Sequence, residues 1–206
     1  MTAAEPFRRV ACRQAFHAFN ALWGVIAYHA VVPRTVAIVA VGVLTAMFGI
    51  GEALRLVRPG TRAEILRHPV FGRMIRPHEA DRVSGGFWFG VGVLATLVLY
   101  PREVVEAACL TLGFGDALST VVGIRYGTVR IAGTRTLQGT LAFVAASVAS
   151  VAMFRWVAYG DGAAQALAWG GVAGVAGAAA ELLSFAVDDN VTVPVGSGAV
   201  LWMVFA

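Results

Sequence analysis

The sequence contains no lysine, and only 14% of its 206 residues carry a charged side chain. A water-soluble domain of this length has about a quarter of its residues charged. Because 58% of the residues are hydrophobic, we expect an integral membrane protein that forms one domain over residues 1–206. The sixteen basic residues are all arginines, whose planar guanidinium groups suit phosphate oxygens and keep their charge near lipid.

Further absences narrow the class of protein. The spacing of the two cysteines, Cys12 and Cys109, fits neither a metal site nor a redox motif, which argues against a disulfide framework. The chain has no Walker A sequence, and the tetrapeptide GFGD that ends at Asp116 is too short for a dinucleotide fingerprint. We expect no cleavable signal peptide, since the first residues lead directly into an apolar segment. We also expect no nucleic-acid partner.

Seven apolar segments predict an all-α, polytopic membrane helix bundle with about seven transmembrane helices. They cover residues 14–32, 35–54, 84–100, 103–124, 137–157, 163–187 and 191–205. Prolines, glycines or charged residues separate neighbouring segments, and the longest polar stretch is 55–82.

The arginines predict the orientation of this bundle. If the N-terminus is cytoplasmic, thirteen of the sixteen arginines lie in inner loops, and only Arg34, Arg102 and Arg155 lie outside. The positive-inside rule favours that arrangement. We therefore expect a cytoplasmic N-terminus and an external C-terminus, in a prokaryotic cytoplasmic membrane.

This orientation gathers ionisable side chains near the inner surface of the membrane. Because the fourth segment enters from outside, Asp116 lies roughly 20 Å below the outer surface at ~1.5 Å per residue. The other residues expected near the inner surface are Arg13, His17, Glu52, Glu79, Arg82, Glu181, Asp188, Asp189 and Asn190. A carboxylate inside a membrane costs about 3 kcal/mol and usually faces a partner or a polar cavity. Glu106, near the outer surface, is the main exception.

Each of these residues also has a purely structural interpretation when it is taken alone. Asp116 would pair with a buried arginine, and His17 would bond a backbone carbonyl at the membrane surface. Glu52 would pair with Arg55 at a helix end, and the stretch 55–82 would determine orientation and attract anionic lipid. Only the combination of residues distinguishes a functional site from these alternatives.

The combination predicts phosphoryl transfer. Asp116, Asp188 and Asp189 supply acids for a divalent metal, while Arg125 and Arg135 supply cations for phosphate oxygens. A row of glycines would let backbone N–H groups approach an anion closely. Its members are Gly113, Gly115, Gly123 and Gly127. A reactive centre here would meet a soluble nucleotide from the cytoplasm and a lipid alcohol from the membrane.

Two longer motifs resemble those of the CTP-dependent lipid kinases, a family that includes dolichol kinase, phytol and farnesol kinase, and CTP-dependent diacylglycerol kinase. Residues 112–143, LGFGDALSTVVGIRYGTVRIAGTRTLQGTLAF, resemble G-D-x-x-[AS]-x-x-x-G-x-x-[FY]-G followed by K-[TS]-x-[EQ]-G-[ST]. Residues 181–198, ELLSFAVDDNVTVPVGSG, resemble the closing element E-x(5–6)-D-D-N-[LV]-[ST]-[VI]-P. Weaker similarities are RQAFH, GEALRL and HEADRVSGG. The family often has lysine at the position of Arg135.

The resemblance implies a membrane enzyme that uses CTP and Mg²⁺, or another divalent cation, to phosphorylate a lipid alcohol. The candidate acceptors are phytol, polyprenol or dolichol, farnesol or geranylgeraniol, and diacylglycerol. The implied nucleotide-binding residues are Gly115, Ser119, Gly123, Arg125, Gly127, Arg135, Thr136, Gly139 and Thr140. The implied metal site contains Asp116, Asp188 and Asp189. The general base stays open among Asp116, His17, Glu79 and Asp189.

Two alternative functions stay open at this point. A cytidylyltransferase acting on a lipid phosphate would attack the α-phosphorus of CTP and release pyrophosphate, although the P-G-H-G-G and D-R-x-D elements associated with phosphatidate cytidylyltransferases are absent. A small proton-coupled transporter would use Asp116, Glu181 and His17 as a relay, although few polar groups continue toward the outer face. The identity of the lipid alcohol, the choice of CTP over ATP and a homo-oligomeric state also stay open.

Overall fold

The computed structural model describes residues 7–58, 60, 63–64, 67, 79, 81–184 and 187–205. The elements in chain order are α1 (Phe7–Ala30), α2 (Arg34–Val57), α3 (Gly85–Leu99), α4 (Arg102–Leu110), a first π-helical segment (Thr111–Asp116), α5 (Ala117–Tyr126), β1 (Arg130–Ala132), β2 (Arg135–Thr136), α6 (Leu137–Phe154), a second π-helical segment (Arg155–Tyr159), α7 (Ala163–Leu182) and α8 (Asp189–Phe205). Most of the inner loop predicted at 55–82 lies outside the described residues, including Arg62, Arg73 and Arg76.

The helices begin and end close to the predicted breaks. Pro33 and Pro101 occupy the N-cap positions of α2 and α4, where the missing proline N–H leaves no intrahelical bond unmade. Gly160 ends the second π-helical segment with φ 70°, a left-handed conformation that favours glycine. The first helix begins at Phe7 rather than at the predicted residue 14, because arginine is a good helix former and extends the helix beyond its apolar part.

Four helices in the described part of the chain are long and apolar enough to cross a membrane. They are Arg34–Val57, Arg102–Tyr126, Leu137–Tyr159 and Ala163–Leu182, and Gly85–Leu99 is a shorter apolar helix. This composition confirms the predicted all-α membrane helix protein. The number of seven spans and the cytoplasmic N-terminus stay predictions.

Helix α2 presents a broad apolar surface to its surroundings while it packs on α3. Its exposed large apolar side chains are Val36, Val39, Val43, Leu44, Met47, Phe48, Ile50, Leu54, Leu56 and Val57. A continuous apolar surface of this extent is unfavourable in water, whereas lipid tails accommodate it. The outward faces of the bundle therefore fit a membrane environment.

The first π-helical segment lies at the centre of the bundle and contacts α1, α6, α7 and α8. Its glycines leave no space for side chains. A methyl group added at Gly113 would overlap Ala21 of α1, and one at Gly115 would lie 2.8 Å from the ring of Phe143 on α6. The segment ends at Asp116, which is thereby carried into the interior and is only 6% exposed. π-Helical turns frequently occur at functional sites.

The three arginines predicted on the outer side lie together at one end of the bundle. Arg34 donates hydrogen bonds to carbonyl oxygens at the C-terminus of α3, and Arg102 donates to carbonyl oxygens at the C-terminus of α1. Both therefore satisfy carbonyl groups that lack intrahelical partners. Arg155 donates to Glu103 at the start of α4, at 2.7 Å.

Glu106, which was predicted near the outer surface and apart from the other ionisable residues, is fully buried near this same end. Its carboxylate accepts a hydrogen bond from the Tyr159 hydroxyl at 2.5 Å and lies 3.3 Å from His29 Nδ1. Buried carboxylates require such partners. The polar groups at this end therefore pair with one another and tie α1, α4 and the second π-helical segment together.

Candidate functional site

A β-hairpin that the sequence did not predict brings Arg135 to the opposite end of the bundle. Strands β1 and β2 pair antiparallel, and Gly133 in their connection has φ 54°, which an L side chain rarely adopts. Strand β2 leads directly into α6, where the Thr136 hydroxyl accepts a hydrogen bond from the Gly139 N–H at 3.2 Å. The hairpin thus fixes Arg135 beside the capped amino end of α6.

Arg135 joins residues from three separate helices. Its Nη1 donates a hydrogen bond to Glu181 Oε1 at 2.6 Å, and its Nη2 donates to Asp189 Oδ2. The Ser119 hydroxyl donates to the same Glu181 oxygen at 2.7 Å. These four residues form the Arg135 cluster (Ser119, Arg135, Glu181 and Asp189), which connects α5, β2, α7 and α8.

Negative charge exceeds positive charge around Arg135. Burial alone would lower the pKa of its guanidinium group, but the charges of Glu181, Asp189 and Asp116 raise that pKa above its ordinary value. Arg135 therefore stays protonated at physiological pH. The contribution of Asp116 shows that its carboxylate lies close enough to act on Arg135.

Asp188, the residue before α8, adds a further acid to this end of the bundle. Asp188 Oδ1 accepts hydrogen bonds from the side-chain and backbone N–H groups of Asn190, at 2.7 and 3.0 Å. Burial and the charge of Asp189 raise the pKa of Asp188, while the bonds from Asn190 oppose this shift. Asp188 and Asp189 therefore form a crowded pair of carboxylates that a cation would stabilise.

A pocket of about 210 Å³ opens directly beside the Arg135 cluster. Its lining residues are Ser119, Thr120, Gly123, Ile124, Thr134, Arg135, Thr136, Gly139 and Thr140. Six of them were predicted to bind nucleotide: Ser119, Gly123, Arg135, Thr136, Gly139 and Thr140. The amino end of α6 forms part of the wall, and such helix ends favour anions. Hydroxyls, a guanidinium group and a helix terminus thus line one small cavity.

The glycines near this pocket serve close helix packing in the structure. A methyl group at Gly139 would lie 2.9 Å from the Ser119 carbonyl oxygen, and one at Gly123 would lie 3.2 Å from the Thr136 hydroxyl. At Gly127 a methyl group would meet Thr136 at 2.6 Å. These glycines bring α5 and α6 together, which sets the width of the pocket. Their predicted approach to an anion stays a prediction.

A second polar cluster forms where α2 meets the start of α3. Arg55 Nη2 donates to Glu52 at 2.6 Å, and the Ser84 N–H donates to Glu52 at 2.9 Å. The Glu79 carboxylate accepts from the Gly85 N–H at 3.2 Å. Arg55 also donates to the carbonyl oxygens of Glu79 and Arg82, and the Arg82 side chain is exposed. The ion pair of Glu52 with Arg55 matches the structural alternative considered from the sequence.

The second polar cluster approaches the start of α8 at Gly85. A methyl group at Gly85 would lie 3.3 Å from Glu79 Oε1 and 3.4 Å from Asn190 Nδ2. Glu79 and Asn190 therefore face the same small space, although no direct hydrogen bond between them is present in the described structure. The acids predicted to converge thus form two neighbouring groups.

Arg125, His17 and Arg13 are predicted residues that do not line the pocket. Arg125 is exposed and its guanidinium carbon lies 5.8 Å from the centre of the Phe7 ring, so the structure does not bring it to the pocket. His17 is half-buried on α1 and packs edge-on against Phe89, with ring centres 4.6 Å apart. Arg13, one turn earlier on α1, is half-buried as well.

Arg55 and Gln14 are buried polar residues that were not predicted as parts of a site. Arg55 is fully buried, and its position three residues after Glu52 on a helix was the available signal. Gln14 is buried, and its Nε2 has no hydrogen-bond partner among the described residues. Its place in the motif RQAFH, between Arg13 and His17, was the signal for it.

The carboxylates at this end of the bundle suit a divalent cation only when phosphate oxygens of a bound substrate supply further ligands. Among the described residues, no three His, Cys, Asp or Glu side chains are grouped closely enough to hold a metal ion. Mg²⁺, however, is usually held by one or two carboxylates together with substrate phosphates. The adjacent acids Asp188 and Asp189 fit that requirement. The three-aspartate site with Asp116 stays a prediction.

Comparisons with known proteins agree with the motifs. No family model matches the chain, and no solved structure matches it. The chain is 25% identical over 188 residues to CTP-dependent diacylglycerol kinase 1 of Schizosaccharomyces pombe, covering 86% of this chain and 83% of that protein. It is 54% identical over 73 residues to dolichol kinase of Saccharomyces cerevisiae, covering 35% of this chain and 14% of that protein. The resemblance read from the Asp116 and Asp188 motifs is thus confirmed, since the chain is similar to proteins named CTP-dependent diacylglycerol kinase and dolichol kinase.

Proposed function

We propose that this chain is a CTP-dependent lipid-alcohol kinase, a phosphotransferase that moves the γ-phosphate of CTP to the hydroxyl of a membrane lipid alcohol. The observation that carries the proposal is the Arg135 cluster beside a pocket of about 210 Å³ at the amino end of α6. The relatedness to enzymes named CTP-dependent diacylglycerol kinase and dolichol kinase supports it.

In this proposal the pocket binds the phosphate groups of CTP. Arg135 uses two nitrogen atoms for Glu181 and Asp189, which leaves other N–H groups of the same guanidinium for phosphate oxygens. The N–H groups at the start of α6 and the hydroxyls of Thr136 and Thr140 add donors. Fixed donors of this kind stabilise charge that develops during phosphoryl transfer.

The transfer itself exchanges one phosphorus–oxygen bond for another. The lipid oxygen forms a bond to the γ-phosphorus, the bond from the γ-phosphorus to the β–γ bridging oxygen breaks, and CDP leaves. The hydroxyl proton passes to a carboxylate, which we assign to Asp116, because its charge acts on Arg135 beside the pocket and it lies in a helix long and apolar enough to span the membrane. Mg²⁺ or another divalent cation would be held by Asp188 and Asp189 and would neutralise charge on the phosphate oxygens.

The acceptor reaches this site from the membrane. The bundle is surrounded by exposed apolar side chains, and Asp116 lies in a helix long and apolar enough to span the membrane. A lipid alcohol therefore presents its hydroxyl to the site from the lipid side, while CTP enters from water. We place the pocket on the cytoplasmic side, because the arginine distribution favours that orientation.

The direct test is a panel of acceptors. Purified protein in detergent receives CTP and Mg²⁺ with phytol, farnesol, geranylgeraniol, a polyprenol or diacylglycerol, and a parallel series contains ATP. We expect one class of alcohol to yield a lipid monophosphate together with an equal amount of CDP. If no alcohol is phosphorylated with either nucleotide, the proposal is wrong. The cytidylyltransferase alternative uses a lipid phosphate as acceptor instead of an alcohol. Release of pyrophosphate in a reaction of CTP with a lipid phosphate would identify that alternative.

A further inference from the structure

We infer that Glu181 is a positioning residue, which holds Arg135 and Ser119 in place for the triphosphate of CTP without contacting the nucleotide. This inference rests on the proposed function, since it assigns a role within the same pocket. From the sequence, Glu181 belongs to a relay under the transporter alternative, but under the kinase interpretation it is a polar residue without a role of its own. The contacts of Glu181 define a role within the kinase site.

The burial of Glu181 separates it from any bound nucleotide. Its side chain is 0% exposed, whereas the Arg135 side chain is 27% exposed. Arg135 and Ser119 both line the pocket, and Glu181 is not among the described lining residues. Glu181 therefore lies behind the two residues that form the wall, and its influence on a ligand passes through them.

One oxygen of Glu181 makes both of its hydrogen bonds. Oε1 accepts from Arg135 Nη1 at 2.6 Å and from the Ser119 hydroxyl at 2.7 Å. Oε2 is buried and has no hydrogen-bond partner among the described residues. The charge of this buried carboxylate is thus balanced chiefly through Arg135, which couples the positions of the two groups.

The geometry also fixes which way the guanidinium faces. Glu181 at the end of α7 and Asp189 at the start of α8 hold two different nitrogens of Arg135. A planar group that is held at two nitrogens loses rotational freedom and is prepared to bind oxygens with its remaining donors. Loss of Glu181 leaves one of these two restraints, so Arg135 meets the triphosphate with poorer geometry.

The test measures equilibrium binding of CTP and of inorganic triphosphate to detergent-purified wild type and Glu181→Gln, together with both KM values. We expect the dissociation constants for CTP and triphosphate to rise at least tenfold, because a charge-assisted hydrogen bond is lost. The KM for the lipid alcohol should change less than twofold. Unchanged nucleotide binding in a folded Glu181→Gln protein would overturn the inference.

A double variant separates positioning from a general loss of structure. If Glu181 acts through Arg135, then Glu181→Gln should change CTP affinity less than twofold when Arg135→Ala is already present. Independent effects that multiply would overturn the inference. Glu103→Gln is the matched control, because Glu103 pairs with Arg155 at the other end of the bundle, and it should leave CTP affinity unchanged.

If thermal unfolding shows that Glu181→Gln does not fold, Glu181→Asp is measured in its place, because aspartate keeps the charge but shortens the side chain. An affinity loss of at least threefold in Glu181→Asp that disappears with Arg135→Ala supports the inference, and no loss overturns it.

The wild-type protein distinguishes failure of this inference from failure of the proposed function. A wild type that binds CTP but phosphorylates no alcohol contradicts only the proposed function. A wild type that binds neither CTP nor triphosphate contradicts both.

Discussion

Arg135 and Asp189 are separated by 54 positions in the sequence and form an ion pair at one end of the helix bundle. The first residue belongs to a short β-hairpin, and the second begins the last helix. Because Glu181 and Ser119 join the same network, the two sequence motifs that resemble those of lipid kinases meet in three dimensions. The proposed site for phosphate groups therefore depends on the packing of α5, α6, α7 and α8.

Asp116→Asn should abolish turnover while the protein still inserts into membranes. Asparagine has nearly the same shape but can neither accept a proton nor carry charge, and general-base catalysis contributes about 100-fold or more. The measurement is the rate of lipid phosphate formation, compared with the amount of folded protein in membranes. Glu64→Gln, at an exposed residue that does not line the pocket, serves as the control. Normal turnover in Asp116→Asn would remove this residue from the mechanism.

Arg135→Lys should retain more activity than Arg135→Ala. Lysine keeps the positive charge, but its one nitrogen cannot reproduce the two separate bonds to Glu181 and Asp189. We expect kcat/KM for CTP to fall about tenfold in the lysine variant and about 100-fold or more in the alanine variant. Steady-state kinetics with varied CTP provide the measurement. Wild-type kinetics in Arg135→Ala would show that this guanidinium does not bind the nucleotide.

Gly139→Ala should destabilise the bundle, because the added methyl group would lie 2.9 Å from the Ser119 carbonyl oxygen and force α5 and α6 apart. Overpacking of this kind costs about 1–3 kcal/mol. Gly171→Ala is the matched control, since nothing lies within 4 Å of its added methyl group, and it should be neutral or slightly stabilising. Thermal unfolding in detergent measures both. Equal melting temperatures for the two variants would contradict this account of helix packing.

Removal of divalent cations should stop the reaction. Asp188 and Asp189 form a crowded pair of carboxylates, and phosphoryl transfer relies on a cation that bridges phosphate oxygens. We expect EDTA to abolish formation of lipid phosphate and excess Mg²⁺ to restore it. Thermal unfolding with and without EDTA controls for a structural effect of the chelator. Undiminished turnover in EDTA would exclude the metal-dependent mechanism.

The sequence predicted the helices better than it predicted the site. Apolar segments that follow Pro33 and Pro101 predicted α2 and the continuous helical run Arg102–Tyr126 closely, because a lipid-facing helix must be apolar and proline breaks the backbone hydrogen-bond pattern. The β-hairpin at Arg130–Thr136 was missed, since its strands are short and show no clear alternation. The π-helical turn was missed because it depends on Gly113 and Gly115 packing against other helices.

For the site, motifs predicted residue identity but not always residue position. Ser119, Arg135, Thr136 and Thr140 do line one pocket, as expected from the resemblance. Arg125 does not line the pocket, because it lies in the last turn of α5 with its guanidinium group over the ring of Phe7 on α1. No local pattern distinguishes these directions, since they follow from how α1 and α5 pack. The pairing of Arg55 with Glu52 was considered from the sequence, but the full burial of Arg55 was not predicted, because a buried ion pair looks like a loop charge in sequence.

The most direct test of the central claim, that the pocket beside Arg135 holds the triphosphate of CTP, is nucleotide protection of an introduced cysteine. Thr134 is exposed and lines this pocket. A Thr134→Cys variant that also carries Cys12→Ser has one accessible thiol, because Cys109 is buried. The rate of labelling by a membrane-impermeant maleimide is measured with and without CTP in a variant that retains turnover. We predict that saturating CTP slows labelling at least tenfold, and an unchanged labelling rate would contradict the claim.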